Sequence, residues 1–215
     1  MAKVKISKKS TRIDMTAMCD VAFLLLSFFI MTATAKQPEP KPVDTPASTV
    51  LDKIPEEGVA TITVGDKQVF FLMPRDIRKA TLERMSAKRG VQFTEKEYTD
   101  FEKMDGFGVP LNKLRSLLAL TAAERAKPGI QTGIPYDSIN NQLFDWVKEA
   151  REAQRELLDQ KIQNGEKDVV YKDLDIAIKG DAKEEYTTIK TVIDILRDQK
   201  KNKFFLVTGL RDKDF

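Results

Sequence analysis

The 215-residue chain contains no histidine, one cysteine (Cys19) and one tryptophan (Trp146). Without histidine there is no Ser-His-Asp or Cys-His nucleophile pair, and the commonest general base and metal ligand is missing. A lone cysteine excludes an internal disulfide and a CxxC redox or metal site. No P-loop, GxGxxG or nucleophile elbow is present. Neither sign of charge dominates: 36 Lys and Arg face 33 Asp and Glu, a formal net of +3. That balance is unlike the basic surface of a nucleic-acid binder. Together these absences predict a protein that is not an enzyme, carries no cofactor or metal, and binds no nucleic acid.

What the chain does have is one long apolar run. From Met15 to Ala35, 21 residues carry a single charge, Asp20. As a helix they span about 31 Å, the thickness of a bilayer's hydrocarbon. The first 12 residues hold Lys3, Lys5, Lys8, Lys9 and Arg12 and no acid. That bias keeps the N-terminus cytoplasmic and sends the remainder across the membrane. A carboxylate inside such a helix costs about 2.5–3.5 kcal/mol, and it usually faces a protein interior or a water path. Helical spacing puts Thr16, Asp20, Phe23 or Leu24, Ser27, Met31 and Thr34 on one stripe. A single helix cannot shield Asp20 from lipid, so partner helices are implied. The same residues also fit a cleavable signal peptide: a basic start, an apolar core over 21–31 and Ala33-Thr34-Ala35 as the cleavage site. In that reading a secreted binding module is released after Ala35, and the mass of the mature protein decides between the two.

Residues 36–58 follow as a linker. Pro38, Pro40, Pro42 and Pro46 rule out a helix or central strand there and predict an extended spacer, up to about 43 Å over residues 36–49. Residues 60–64 and 68–72 alternate around Gly65-Asp66 and predict a β-hairpin. Residues 74–133 turn helical. Ile77, Ala80 and Met85 share a face, Thr94 and Glu97 form a capping box, and Leu111, Leu114 and Leu118 repeat at helical spacing. The basic run Arg75, Arg78, Lys79, Arg84, Lys88 and Arg89 reads as a solvated face or, second, a surface for anions or lipid headgroups. Residues 137–163 form the clearest soluble helix, with Ile139, Leu143, Trp146, Val147, Ala150, Leu157 and Ile162 inward and Glu149, Glu152 and Glu156 in surface pairs. Residues 174–180, 186–197 and 204–208 read as strand, helix and strand, a parallel pair with a crossover.

Two blocks carry a family resemblance. Ile13-Asp-Met-Thr-Ala-Met-Cys-Asp20-Val, followed by the Leu/Phe-rich run, resembles the membrane segment of the ExbD/TolR family. Residues 178–194, with the strand ending at Thr208, resemble that family's closing strand-helix-strand, although Gly180 replaces the usual Ala. The blocks cover roughly residues 10–50 and 140–210. The resemblance implies a retained anchor and gives Asp20 the role of proton-binding group, with Thr16 in support. It also makes Val43, Asp44, Thr45, Pro46, Ala47 and Ser48 a partner-binding or gating segment, with Thr45 standing where the family has Leu. The partners it implies are a polytopic ExbB- or TolQ-like membrane protein, a TonB-like transducer, a second copy of the chain in a homodimer, and membrane lipid.

The expected architecture is α+β: a cytoplasmic tail (1–12), one transmembrane helix (13–35), the Pro-rich linker (36–58) and a small periplasmic mixed-sheet domain (59–215). Its helices lie on one face, and 74–133 is a helical insertion. The expected place is the bacterial inner membrane. The expected function is a proton-driven motor subunit that energises a TonB-type transducer for outer-membrane uptake, or a Tol-type subunit for envelope maintenance. A strand edge, 60–64 or 204–208, is the expected docking place for a transducer peptide.

Overall fold

The computed structural model describes residues 15–32, 39–48, 54–55, 58–165 and 170–210. The chain divides into two compact units, residues 1–36 and 37–215. In the first, helix α1 runs from Met15 to Thr32. It contains no Gly or Pro, and none of its residues is buried. Two of its hydroxyls bond to its own backbone: Ser27 Oγ donates to Leu24 O at 2.9 Å and Thr32 Oγ1 to Phe28 O at 2.8 Å. These bonds remove polar groups from an otherwise apolar surface. Among the described residues it is the one helix long and apolar enough to cross a membrane.

The second unit is built on a hairpin. Strand β2 (Val59–Gly65) and β3 (Gln68–Leu72) pair antiparallel. Asp66 and Lys67 turn the chain with φ of 51° and 58°. The turn is therefore one residue later than Gly65-Asp66, with both central residues left-handed as a two-residue hairpin requires. Helix α2 (Arg75–Arg89) starts after Pro74 and stops at Gly90, where φ is 67°. Helix α3 (Glu95–Glu102) opens with the expected Thr94/Glu97 capping box. A two-residue strand, β4 (Gly106–Phe107), then pairs antiparallel with β3. Helix α4 (Leu111–Leu118) and the short α5 (Ala122–Arg125) complete this stretch. Helix α6 (Gln142–Gln163), strand β5 (Asp175–Gly180), helix α7 (Tyr186–Asp198) and strand β6 (Phe205–Val207) follow. The sheet order is β4-β3-β2-β5-β6, and β5 pairs parallel with both β2 and β6. The fold is thus α+β on a mixed sheet.

Alternation along the strands divides the sheet into two faces. Ala60, Ile62, Val64, Ile176 and Ile178 are fully buried in the helix-side core. Trp146 sits at its centre, stacked on Phe101 at 5.9 Å and edge-on to Phe107 at 4.7 Å. Both phenylalanines belong to the 74–133 stretch, which therefore shares the core. Helices α6 and α7 meet where Gln199 Nε2 donates to Phe144 O and Arg151 Nη1 donates to Gln199 O, both at 2.9 Å. Helix α6 starts later than residue 137, because the Asn141 side chain takes the cap by accepting from Phe144 N–H at 2.9 Å. Ile139 falls outside the helix and is fully exposed, and Ile162 is exposed as well.

The basic run of α2 is neither a bare solvated face nor a free anion surface. Arg84 pairs with Glu149 and Glu156, Lys88 with Asp145 and Glu149, and Arg89 with Asp145. The acids are on α6, so α2 and α6 close with an ion-pair seam. Of the three α6 glutamates expected in local surface pairs, only Glu152 makes one, to Arg155. Burial raises the Asp145 carboxyl, but Lys88 and Arg89 outweigh it and hold Asp145 below its ordinary range. Burial likewise raises Asp173, and Arg151 and Lys201 overcome it. A depressed carboxylate stabilises the fold above the unfolded pKa, about 3.9, and that stability is lost as pH falls through the folded value. The domain should therefore hold its denaturant midpoint from pH 7 to about pH 5 and lose it progressively below about pH 4. Urea titrations followed by Trp146 fluorescence measure this. An unchanged midpoint at pH 3 would show that the seam contributes nothing.

Candidate functional site: an acidic membrane helix and a seated linker

Asp20 lies about 7–8 Å along α1 from Met15 and is the helix's only charged side chain. It is exposed, as is Thr16 one turn earlier on the same stripe. Ser27, two turns on, is occupied with its own backbone, while Thr34 lies outside the described residues. Asp20 carries the only carboxyl on α1, and the neighbouring Cys19 thiol is free and exposed.

The expected gating segment belongs to the other unit. Residues 39–48 are not a free spacer: they lie as a strap across the sheet face opposite the Trp146 core, with Pro40 beside Ala122 and Arg125 of α5. Glu39 Oε2 meets Lys179 Nζ at 2.6 Å. Pro40 sits on Gly106, where a Cβ would come within 3.2 Å of Pro40 Cγ. Lys41 pairs with Asp66 at the hairpin turn. Val43 rests on Gly65, where a Cβ would approach Val43 Cγ1 to 2.9 Å, too close to be tolerated without movement. The Asp44 carbonyl accepts from Ala182 N–H at 2.7 Å and the Pro46 carbonyl from Gly209 N–H at 3.0 Å. Strand β1 (Ala47–Ser48) pairs parallel with β7 (Gly209–Leu210). Thr45 Oγ1 lies 3.4 Å from where a Gly209 Cβ would stand. Beneath this face Phe70 and Ala177 are 2% and 1% exposed although they stand outside the helix-side core. Of the strap residues singled out in the sequence, Val43, Thr45 and Ser48 are half-buried, and Asp44, Pro46 and Ala47 are exposed.

The two sheet edges differ. Beside β3, Ile134 N–H donates to Val69 O at 2.8 Å and Gly133 N–H to Gly108 O at 2.7 Å, so the chain's own loop closes that side. Strand β6 is the other edge; among the described residues no strand lies outside it, and Leu206 is 53% exposed. Strand β2 is paired on both sides, by β3 and β5, so residues 60–64 offer no docking edge. Only 204–208 can.

Sequence reasoning missed the seat of the strap, β4, and the second capping box, at Thr121 and Glu124. The box was readable as Thr-x-x-Glu. The seat had one local trace, glycines at 65, 106 and 209, each meaningful only beside its partner.

The chain matches the family model described as biopolymer transport protein ExbD/TolR over residues 7–210 and belongs to that family. No curated protein and no solved structure gives a match. Family membership and the single apolar helix make it a single-pass membrane protein and a subunit of a biopolymer-transport motor complex.

Proposed function

We propose that this chain is the ExbD-like subunit of a proton-driven motor of the bacterial inner membrane, with Asp20 as its proton-carrying group. The observation that carries the reading is the lone carboxyl on a helix without any other charge. Ionised, Asp20 must be held at a polar site on the partner; protonated, it is neutral and can pass an apolar wall. Proton entry and exit on opposite sides then ratchet α1 inside a ring of ExbB- or TolQ-like helices. Thr16 orients the carboxyl from one turn away. The five basic residues before Arg12 and at it set a cytoplasmic N-terminus and a periplasmic domain. The strap, Val43 to Ser48, relays motion to the domain, which engages a TonB-like transducer as a homodimer. The test is transport in cells carrying Asp20→Asn. Loss of substrate uptake with envelope integrity intact marks a TonB-type role; detergent sensitivity with normal uptake marks a Tol-type role.

The open β6 edge is the docking strand for the transducer. An extended peptide adds to such an edge through main-chain hydrogen bonds. A photo-cross-linker at Leu206 should capture the transducer in cells, and one at Ile62 in the centre of the sheet should not. Capture solely from the exposed side of α6 would overturn this mode.

A further inference from the structure

The strap's seat is a recognition track, and we infer that it also binds a partner protein's extended segment in which prolines alternate with an acid and then a base. The chain's own Glu39-Pro40-Lys41-Pro42 fills the track in cis. The inference rests on the strap geometry and not on the proton chemistry of Asp20.

Four features of the seat support this. Its charges are fixed at matching places: Lys179 takes Glu39 and Asp66 takes Lys41. Its glycines at 65 and 106 leave room only for a close-lying backbone with Val43 and Pro40 pressed against it. Its main-chain contacts include two donors, Ala182 N–H and Gly209 N–H, aimed at strap carbonyls. A proline-rich segment lacks donors but keeps every carbonyl, so this polarity suits it. Finally, no strap residue belongs to the hydrophobic core, so the strap can leave without opening the domain. Its departure frees Lys179 and Asp66 from their strap partners, and a replacement segment supplies those partners again. Ion pairs with this much solvent contact are weak individually, which makes the exchange reversible. The cis strap competes at the high effective concentration of a tethered segment. Displacement therefore requires either a better-matched partner segment or a pull on the strap.

The probe is a fluorescent ten-residue peptide with the sequence of residues 39–48, titrated by anisotropy against the full-length protein in detergent. Wild type should bind it weakly, because the track is filled. Lys41→Glu, which sets the strap against Asp66, should bind at least ten-fold more tightly, and added salt should weaken that binding. Lys179→Glu should lose the peptide and accept a version with lysine in place of its leading glutamate. Gly65→Val should bind neither peptide. Because Gly65→Val can also disturb the hairpin, the Lys179→Glu exchange stands as the independent arm, with Trp146 fluorescence checking the fold in each variant. Peptide affinity indifferent to Lys41→Glu, no binding to any variant, or equal binding of both peptides to Lys179→Glu overturns the inference. Asp20→Asn should leave all of these affinities unchanged, so failure here and failure of the motor reading are separable.

Discussion

Asp20→Asn should leave the protein in the membrane at normal levels and abolish proton-driven transport. The substitution keeps the size and hydrogen-bonding capacity of the side chain but fixes it in a neutral state. Insertion becomes easier, since the cost of an intramembrane charge, about 2.5–3.5 kcal/mol, is removed. Work stops because each proton delivers about 2.3 kcal/mol per 100 mV only if a group can carry it, and α1 has no other carboxyl. Asp20→Glu should keep part of the activity, since the carboxyl survives on a longer stem. Thr16→Val should do less harm, because it removes only a neighbouring hydroxyl. Uptake of an outer-membrane substrate, with membrane levels of each variant checked, is the measurement. Near-normal uptake together with an intact, detergent-resistant envelope in Asp20→Asn would end the motor reading.

Phe101→Ala should destabilise the domain by about 3–5 kcal/mol, the usual cost of emptying a buried aromatic site. A domain of this size has a total stability of about 5–15 kcal/mol, so a single truncation removes a large part of it. Phe101 is 1% exposed and touches both Phe107 and Trp146, so no solvent-side rearrangement can refill the hole. Deleting residues 74–133 should be worse. It strips Ile77, Leu82, Met85, Phe101, Phe107 and Leu114 from the core at once, along with the α2 half of the ion-pair seam. A separable insertion would leave Trp146 shielded. Here its loss should make Trp146 freely quenchable and the domain sensitive to protease. A deletion variant that still folds and assembles would show that the core closes without this lobe.

The local devices were legible in the sequence because each is written within a few residues. The Thr94/Glu97 box, the hairpin pattern and the strand-helix-strand close of the chain are of this kind, and so is the apolar run around Asp20. What was not legible depends on distant pairs. Arg84, Lys88 and Arg89 of α2 looked solvated because their acids, Asp145, Glu149 and Glu156, stand on α6, 56 to 72 residues away in the chain. Ile139 fits the helical period of α6 by accident, since the Asn141 cap places it before the first turn. Prolines in 36–49 correctly excluded helix and central strand, yet they say nothing about whether an extended segment is free or seated. That depends on Gly65 and Gly106, whose role as landing places is visible only with Val43 and Pro40 above them.

The seated strap also decides the order in which the second unit would yield to a load. Its first residues are held by side chains, Glu39 on Lys179 and Lys41 on Asp66, and its last by main chain, where β1 pairs with β7. A pull on residue 39 therefore parts the ion pairs one after the other before it reaches the Gly209 N–H bond to the Pro46 carbonyl. Seating ten residues thus turns one load into a series of small steps, without any change inside the folded core.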